Sequence, residues 1–391
     1  MRFFHISDLH IGKQLYYYSL KENQRGILRQ IVERVKEYRP DGILIAGDIF
    51  DKSVPSGEAY TIFDQFLNEL AEISPQIPVF VIAGNHDSAE RLRYASTFLE
   101  KHRIYVSTLP PASEEERLKK IVLEDAYGPV NVYLLPFTRP GQVRWLFAEG
   151  TAVTYDMAVQ ALIDREELEL SERNVLVSHQ FYVSGILTPD TCESEQAYIS
   201  VGGIDSVDTS RVSMFDYVAL GHLHGAQWIG KPSIRYCGTP LKYSVSEEKQ
   251  KKSITLVTLG EKGSPAQTEE IFLEAEQDVR RERGTLEELV ERAKAQDEGK
   301  RRDFVSITLT DEAEVFQPRE QLEAYYPYIL EIRVDNSRTR ARLKLEQSET
   351  VMPDPLTAFQ NFYQEMQGVS MNQEEREIMR EVILKAKEEE A

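Results

Sequence analysis

The first half of the chain alternates short apolar runs with longer amphipathic stretches. Apolar residues recur at helical spacing over Glu22–Tyr38 and Glu58–Leu70, which predicts two amphipathic helices. The short apolar runs predict strands at Arg2–Ile6, Ile43–Ile45, Val79–Ile82, Asn174–Val177, Tyr217–Leu220, Ser233–Cys237 and Ser253–Leu259. Strand–helix alternation of this kind is typical of an α/β sheet.

The pattern changes near residue 275, where a second unit begins. Thr285 and Glu288 fit a Thr-x-x-Glu capping box, which predicts the start of a helix. The other elements predicted here are a strand at Phe304–Thr310, a short helix at Pro318–Tyr325 and a strand at Ile329–Val334. After residue 353 the chain becomes acidic and helical. We therefore expect three parts: a domain of residues 1–265, a small α+β capping domain of residues 270–350 and a helical tail of residues 353–391.

Composition restricts the class of protein. With 41% hydrophobic and 28% charged residues, the 391-residue chain is expected to be globular. Two cysteines provide no disulfide framework and indicate a reducing compartment. No run approaches the ~18 apolar residues of a membrane span, and no signal peptide is predicted, so we expect a cytoplasmic protein. The net charge of −19 argues against a protein that coats nucleic acid, but it permits an enzyme that meets phosphate through bound metal.

Polar motifs follow five of the predicted strands. Because the carboxyl ends of strands in an open α/β sheet lie along one edge, these motifs can converge in space. A spacing of i, i+2 in extended backbone puts both side chains on the same side, so Asp8 and His10 can share one metal. The five motifs are Asp8-Leu9-His10, Gly47-Asp48, Gly84-Asn85-His86-Asp87, Ser178-His179 and Gly221-His222-Leu223-His224.

The residue types in these motifs indicate a catalytic metal centre. Imidazole, carboxylate and amide ligands without thiolate suit manganese, iron or zinc in a catalytic site. Seven such side chains exceed the needs of one metal, whereas two metals ~3.5–4 Å apart that share a carboxylate form the usual clamp for phosphoester hydrolysis. For one motif, ordinary polar residues at a strand end are the simpler interpretation; five motifs in order favour metal binding. His5 is predicted to pack in the core and His102 to be solvated.

The motifs resemble those of the calcineurin-like metallophosphoesterases, and among them the SbcD-type nucleases, relatives of the Mre-type DNA repair nucleases. The resemblance covers essentially the whole chain and implies a β-sandwich flanked by helices, followed by the capping domain and a C-terminal helical tail. It rests on Ser7–Gly12, Gly47–Asp51, Gly84–Asp87, Gly221–His224, the more specific Arg235–Ser244 with Glu247 and Lys251-Lys252 after it, and Arg283–Leu289.

The resemblance also implies two divalent metal ions, Mn²⁺, per chain. Asp48 would bridge them. His86 would be a catalytic non-ligand that stabilises the phosphate, and Asp87 would orient it. No role is assigned to Asp51, which stands where some relatives have a second histidine. The implied ligands are Asp8, His10, Asp48 and His224 for one ion and Asp48, Asn85, His179 and His222 for the other.

The implied activity is hydrolysis of DNA, by exonuclease action on duplex ends and endonuclease action on single strands or hairpins. The implied partner is an SbcC-type ATPase, in DNA repair, recombination and replication. A homodimer is implied through helices for which Glu58–Leu70 and Arg91–Glu100 are candidates. The tail carries two apolar stripes that either dock the partner or fold back on their own domain: Leu356, Phe359, Phe362, Tyr363 and Met366, then Ile378, Met379, Val382 and Ile383.

Two further groups of residues are candidates for contact with DNA. Arg338, Arg340 and Arg342 alternate, so an extended strand would present them on one face, to DNA phosphates or to a partner; a solvated linker is the alternative. Tyr16 and Tyr17 follow the first metal motif and could stack on an unpaired base, or could belong to the core and its rim.

Two other functions compete with a nuclease. A phosphatase or a small-substrate phosphodiesterase can use the same fold. Protein phosphatases of this family carry Gly-Asp-x-Val-Asp-Arg-Gly, but here Lys52-Ser53 follows Asp51, so the arginine that grips phosphate is missing. A non-catalytic scaffold is the third hypothesis, and the complete set of ligands opposes it.

Overall fold

A computed structural model describes residues 1–196, 206–297, 299–340, 355–367, 370–373, 375–380 and 382. Two six-stranded sheets pack face to face, with helices on their outer faces, and a third, three-stranded sheet follows. This arrangement confirms the predicted α/β sandwich. Within the described ranges, no helix is long and apolar enough to cross a membrane.

The strands are β1 (Arg2–Ile6), β2 (Gln14–Leu15), β3 (Tyr18–Ser19), β4 (Gly42–Ile45), β5 (Val79–Ile82), β6 (Ile104–Ser107), β7 (Lys119–Asp125), β8 (Gly128–Leu135), β9 (Arg173–Ser178), β10 (Phe181–Val183), β11 (Ser206–Asp208), β12 (Tyr217–Leu220), β13 (Gln227–Ile229), β14 (Lys231–Tyr236), β15 (Ser253–Thr258), β16 (Gln267–Phe272), β17 (Val279–Gly284), β18 (Phe304–Leu309) and β19 (Ile329–Val334). The helices are α1 (Lys21–Tyr38), α2 (Gly57–Ala71), α3 (Ala89–Leu92), α4 (Ser96–Glu100), α5 (Tyr155–Asp164), α6 (Glu193–Gln196), α7 (Leu286–Ala295), α8 (Pro318–Glu323) and α9 (Pro355–Gln367). Short 3₁₀ helices occupy Pro140–Leu146, Thr209–Val212, Val245–Glu247 and Lys300–Arg302.

The first sheet has the strand order β16-β15-β1-β4-β5-β6. Strands β1, β4, β5 and β6 are parallel, and β15 and β16 extend the sheet antiparallel. The apolar faces of α1 and α2, including Ile31 and Phe66, are buried in the same hydrophobic cluster as this sheet. Strand β16 carries the sheet to Phe272, beyond residue 265, where the sequence places the end of the domain.

The second sheet has the order β13-β14-β12-β9-β8-β7 and is parallel from β14 to β8. Helix α5 covers its outer face through residues such as Val159 and Leu162. Strands β7 and β8 form an antiparallel hairpin that the sequence analysis did not predict. Between the two sheets lies a fully buried apolar layer, to which Phe3, Phe80 and Tyr217 contribute.

The third sheet belongs to the unit after residue 275. Its strands β17, β18 and β19 are all parallel and alternate with α7 and α8. The predicted capping box is confirmed: the Thr285 side chain accepts from the Glu288 backbone N–H, and the Glu288 carboxylate accepts from the Thr285 N–H. Tyr18, on the hairpin after the first metal motif, donates to the Ile329 carbonyl at 3.3 Å, so this hairpin contacts β19.

The described part of the tail includes α9 and a helical segment at residues 375–380. Asn372 and Glu375 cap the second segment reciprocally. Tyr363 donates to Glu375 at 2.9 Å and so links the two helices. Phe362 and Ile378 are 57% and 58% exposed. Of the apolar stripe residues, Ile383 lies outside the described residues and the side chain of Met366 is not described.

Candidate metal centre

Five parallel strands end at the same place. Strands β1, β4 and β5 of the first sheet run into the motifs that contain Asp8, Asp48 and Asn85, and β9 and β12 of the second sheet run into those of His179 and His222. The His179 imidazole donates from Nδ1 to the Ala46 carbonyl at 2.6 Å, which joins the ends of the two sheets. The predicted convergence of the motifs is therefore confirmed.

Asp48 lies at the middle of the cluster. Its Oδ2 is 3.4 Å from Nε2 of His179, 3.7 Å from Nε2 of His10 and 3.9 Å from Nε2 of His86. Asp48 belongs to two groups of candidate ligands, and within each group all ligand atoms lie within 4.8 Å of one another. The first group is Asp48, His10 and His86, and the second is Asp48, Asp8 and His179. A carboxylate common to two groups is suited to bridge two cations.

Asn85 and His222 complete one side of the cluster. The Asn85 Oδ1 is 3.0 Å from Nε2 of His179 and 3.0 Å from Nδ1 of His222. The Asp8 carboxylate accepts from the His222 backbone N–H at 3.0 Å. On the other side the ring centroids of His10 and His224 are 5.2 Å apart. All seven predicted ligands thus lie in one cluster.

The unpaired atoms of this cluster fit metal ions. Both ring nitrogens of His10 are buried, and neither has a hydrogen-bond partner among the described residues. Because Nδ1 of His179 donates to Ala46, its Nε2 presents a lone pair to Asn85 Oδ1 when the ring is neutral. Buried polar atoms without partners are unfavourable. A cation would provide a partner for one nitrogen of His10, and a cation at Nε2 of a neutral His179 would accept the lone pair that Asn85 Oδ1 cannot.

Backbone strain is concentrated in the same residues. Asp8, His10, Asp48 and His222 have φ values of 54°, 43°, 50° and 98°, in the left-handed region that non-glycine residues rarely adopt. Such conformations cost ~1–3 kcal/mol each and typically occur at functional sites. These four conformations therefore lower the stability of the fold and place the four side chains in the cluster.

Two glycines allow the loops to approach one another. A Cβ at Gly84 would lie 2.1 Å from Oδ1 of Asp48, and one at Gly221 would lie 1.9 Å from the Ala46 carbonyl oxygen. Neither position has room for any side chain. The glycines of the sequence motifs are thus needed for close contact.

Burial and neighbouring charges shift the pKa values of the cluster. Burial raises the pKa of Asp8 to about 6. Burial opposes ionisation of Asp48 as well, but His179 and other imidazoles outweigh it and hold the Asp48 pKa well below its usual range. Burial alone would lower the pKa of His179, yet Asp48 and Asp8 raise it to about 9. Burial and His179 lower the pKa of His222 to about 3. Without a cation, a proton on His179 compensates the carboxylates.

A buried carboxylate orients His224. Nδ1 of His224 donates to Oε1 of Glu247 at 3.0 Å, so Nε2 is the ring nitrogen that remains for a different contact. Glu247 is fully buried and also accepts from Nζ of Lys252 at 2.6 Å. Ser194 Oγ donates to the same Oε1 at 3.1 Å. Carboxylates that hold a ligand imidazole in this way are a common support of metal sites.

The orientation of His86 differs from the expectation. Its Nδ1 donates to the backbone carbonyl of Asp51 at 2.9 Å. The Asp87 carboxylate instead accepts from the backbone N–H groups of Ile49, Phe50 and Gly84 at 2.9–3.1 Å. The prediction that Asp87 orients His86 is therefore wrong, because the Asp87 carboxylate joins the Asp48 loop to the Gly84 loop.

The candidate contacts with DNA have mixed outcomes. Residues 337–340 are helical, so the predicted extended stripe of arginines is wrong for Arg338 and Arg340. Arg340 pairs with Asp335 at 2.7 Å, and Arg342 lies outside the described residues. Tyr17 is 86% exposed and Tyr16 is 44% exposed; Glu331 of the third sheet lies beside Tyr16, and burial together with this carboxylate raises the pKa of the Tyr16 hydroxyl.

Several supporting residues were missed by the sequence analysis as functional groups. Gln24 of α1 is buried and donates from Nε2 to the His10 carbonyl at 2.7 Å, and the Tyr243 hydroxyl donates to the Leu9 carbonyl. Gln24 is a polar residue on the buried face of an amphipathic helix, and this position could have indicated a supporting role from the sequence alone. Glu247 and Lys252 follow the specific Arg235–Ser244 motif, but nothing local indicates their contact with His224.

The sequence comparisons agree with this geometry. The family model of the calcineurin-like phosphoesterases matches residues 1–226, more than half of the chain. The chain belongs to the calcineurin-like phosphoesterases. The model of the type 5 capsule protein repressor C-terminal domain matches residues 275–367, which contain the third sheet and α9.

The chain is also similar to particular proteins. It is 29% identical over 379 residues to the SbcD subunit of the SbcCD nuclease of Staphylococcus epidermidis, with 95% of each chain covered. A crystal structure of a dimetal phosphatase from Danio rerio aligns with 68% of this chain and 98% of its own, at 14% identity and a TM-score of 0.38. The sequence relative thus spans all three parts of the chain.

Proposed function

We propose that the chain is a metal-dependent DNA nuclease. It hydrolyses DNA phosphodiesters, as an exonuclease on duplex ends and an endonuclease on single strands or hairpins. The observation that carries the proposal is the cluster around Asp48, in a chain that resembles a nuclease subunit over 95% of its length. DNA repair, recombination and replication in the cytoplasm are the processes that this resemblance suggests.

Two divalent ions, Mn²⁺, are proposed to bind the cluster, with Asp48 shared between them. When bound, the ions would supply Lewis acidity and an activated water. Asp8, His10 and His224 would hold the first ion with Asp48, and Asn85, His179 and His222 would hold the second. Oxygen and imidazole donors without thiolate suit manganese.

The protein's own groups have separate roles in the proposed reaction. His86, fixed through Nδ1 by the Asp51 carbonyl, presents Nε2 to the phosphate and supplies a proton or hydrogen bond to the leaving oxygen. Glu247 and Ser194 keep His224 in one orientation. Asp87 holds the two loops that carry Asp48 and Asn85.

Two protein partners are proposed. The exposed residues Phe362 and Ile378 of the tail support docking of an SbcC-type ATPase, because two short helices leave these apolar side chains in water. A homodimer through α2 and the α3–α4 region is supported by Tyr94 and Phe98, which are 84% and 61% exposed.

Matched substrates test the nuclease function. The purified chain, with Mn²⁺ added after chelation, is assayed on end-labelled duplex DNA, hairpin DNA and bis(p-nitrophenyl) phosphate, with and without the ATPase partner. Metal-dependent cleavage of DNA is expected. Cleavage of the small diester alone would favour the small-substrate phosphodiesterase, and the absence of turnover with metals bound would favour the scaffold.

A further inference from the structure

An open cavity of about 790 Å³ adjoins the metal centre, within the range of ~300–1,000 Å³ that is usual for ligand pockets. Its lining includes three groups of the metal centre, namely Asn85, His86 and His222, and two cationic residues, Lys52 and Arg139. Both cations are exposed. The cavity therefore connects the metal centre with solvent past two positive charges.

The two cations lie in loops that follow strands of different sheets. Lys52 follows Asp51, whose carbonyl accepts from His86 at 2.9 Å. Arg139 lies two residues after Phe137, whose backbone N–H donates to the Ala83 carbonyl at 2.9 Å. The Phe137 ring lies 6.3 Å from the His179 ring. Each cation is thus carried by a loop that contacts the metal centre.

Neither cation is neutralised within the described structure. Among the ion pairs and hydrogen bonds of the described residues, neither Lys52 nor the Arg139 guanidinium has a carboxylate partner. The guanidinium lies 5.4 Å from the centre of the Phe137 ring, an arrangement that holds its plane while its N–H groups stay available. Asp87, the carboxylate in the lining, is engaged by three backbone N–H groups.

We infer that Lys52 and Arg139 bind the backbone phosphate next to the phosphodiester that is hydrolysed. This inference rests on the proposed nuclease function and names its binding subsite. The metal centre and His86 would contact the phosphate that reacts. The two exposed cations would contact the DNA strand where it continues out of the cavity. The guanidinium fork suits phosphate oxygens, and the lysine adds a point charge. Lys52 also stands where the phosphatase motif has arginine.

The inference predicts a dependence on strand length and salt. In the double variant Lys52→Ala/Arg139→Ala, KM for a fluorescent single-stranded oligonucleotide should rise by roughly tenfold for each cation removed. The ratio of kcat/KM on the oligonucleotide to kcat/KM on bis(p-nitrophenyl) phosphate should fall by a similar factor. The slope of the logarithm of the DNA association constant against the logarithm of the salt concentration should lose about 0.7, because both cations neutralise one phosphate and each neutralised phosphate on a single strand contributes about 0.7.

Matched controls separate this effect from loss of charge or of folding. Lys36→Ala/Arg144→Ala removes two exposed cations that do not line the cavity and should keep the wild-type KM and salt slope. Lys52→Arg/Arg139→Lys should also keep the slope. Wild-type KM and slope in Lys52→Ala/Arg139→Ala, while the wild-type protein cleaves DNA, would overturn this inference alone. A wild-type protein that does not cleave DNA would overturn the nuclease function and this subsite with it.

Discussion

Replacing Glu247 removes the carboxylate that joins His224 to a buried lysine. Oε1 of Glu247 accepts from Nδ1 of His224 at 3.0 Å, and Oε2 accepts from Nζ of Lys252 at 2.6 Å. The residue is fully buried. Glu247→Gln keeps the shape and removes the charge, whereas Glu247→Ala removes both. We expect the glutamine variant to fold with a weakened metal centre and the alanine variant to be markedly less stable.

The magnitude follows from the charges around Glu247. Burial raises the pKa of this carboxyl, but Lys252 and His224 outweigh burial and lower it from 4.5 to about 2. This shift corresponds to roughly 3 kcal/mol of stability at neutral pH. Because the folded state has the lower pKa, the contribution is complete above about pH 4.5 and is lost as the pH falls towards 2. Removal of one partner from a buried pair costs ~3–5 kcal/mol.

We expect the alanine variant to lie at the lower end of that range. Lys252 retains the Thr239 hydroxyl at 2.6 Å and the Gln250 side-chain oxygen at 2.7 Å as acceptors. Loss of a carboxylate that orients a ligand imidazole typically lowers metal affinity by ~10–100-fold. Both variants should show this loss, because both remove the charged acceptor of the His224 N–H.

Two measurements test this reasoning. Denaturant unfolding with chelator present gives the free energy of unfolding, and Mn²⁺ titration by calorimetry gives the metal affinity. Glu248→Gln is the matched control, because Glu248 is the adjacent carboxylate and interacts with Arg281 instead of His224. A Glu247→Gln variant with wild-type Mn²⁺ affinity would show that Glu247 does not support the metal centre.

Four other predictions concern the same site and the tail. Asp48→Asn should lose both metals, because the shared carboxylate is a ligand of each ion. Metal content measured by mass spectrometry tests this, and two metals per chain with full activity would contradict a bridging role of Asp48. His86→Ala should keep its metals and lose turnover by ~10²–10⁴-fold; loss of metal would make His86 a ligand. Since the pKa of His179 is raised to about 9 in the metal-free protein, metal binding should release its proton, and affinity should rise with pH up to about 9, by at most ~tenfold per unit. Calorimetry in buffers of different ionisation enthalpy checks this, and a pH-independent affinity would refute it. Phe362→Asp/Ile378→Asp should abolish co-purification with the ATPase and leave nuclease activity intact; unchanged affinity for the ATPase would exclude this surface.

Local patterns were enough to find the elements and the ligand types. Short, mainly apolar runs predicted β1, β5 and β12 with the bounds that the structure shows, because a buried strand is recognisable from its own residues. The motifs after β1, β4, β5, β9 and β12 named all seven side chains of the cluster, since the carboxyl ends of parallel strands must share one edge. The capping box of Thr285 and Glu288 was equally local.

Contacts between distant segments were decided only by the tertiary structure. Periodicity along the chain does not indicate which buried carboxylate contacts His224, and Glu247 reaches it from the separate 3₁₀ helix Val245–Glu247. The same holds for His86, which is oriented by a backbone carbonyl that every residue possesses. Arg338 and Arg340 alternate along the chain as strand residues would, yet residues 337–340 are helical. The residue types of the site are thus determined by the local sequence, whereas the orientations of His86 and His224 depend on contacts with segments that lie elsewhere in the chain.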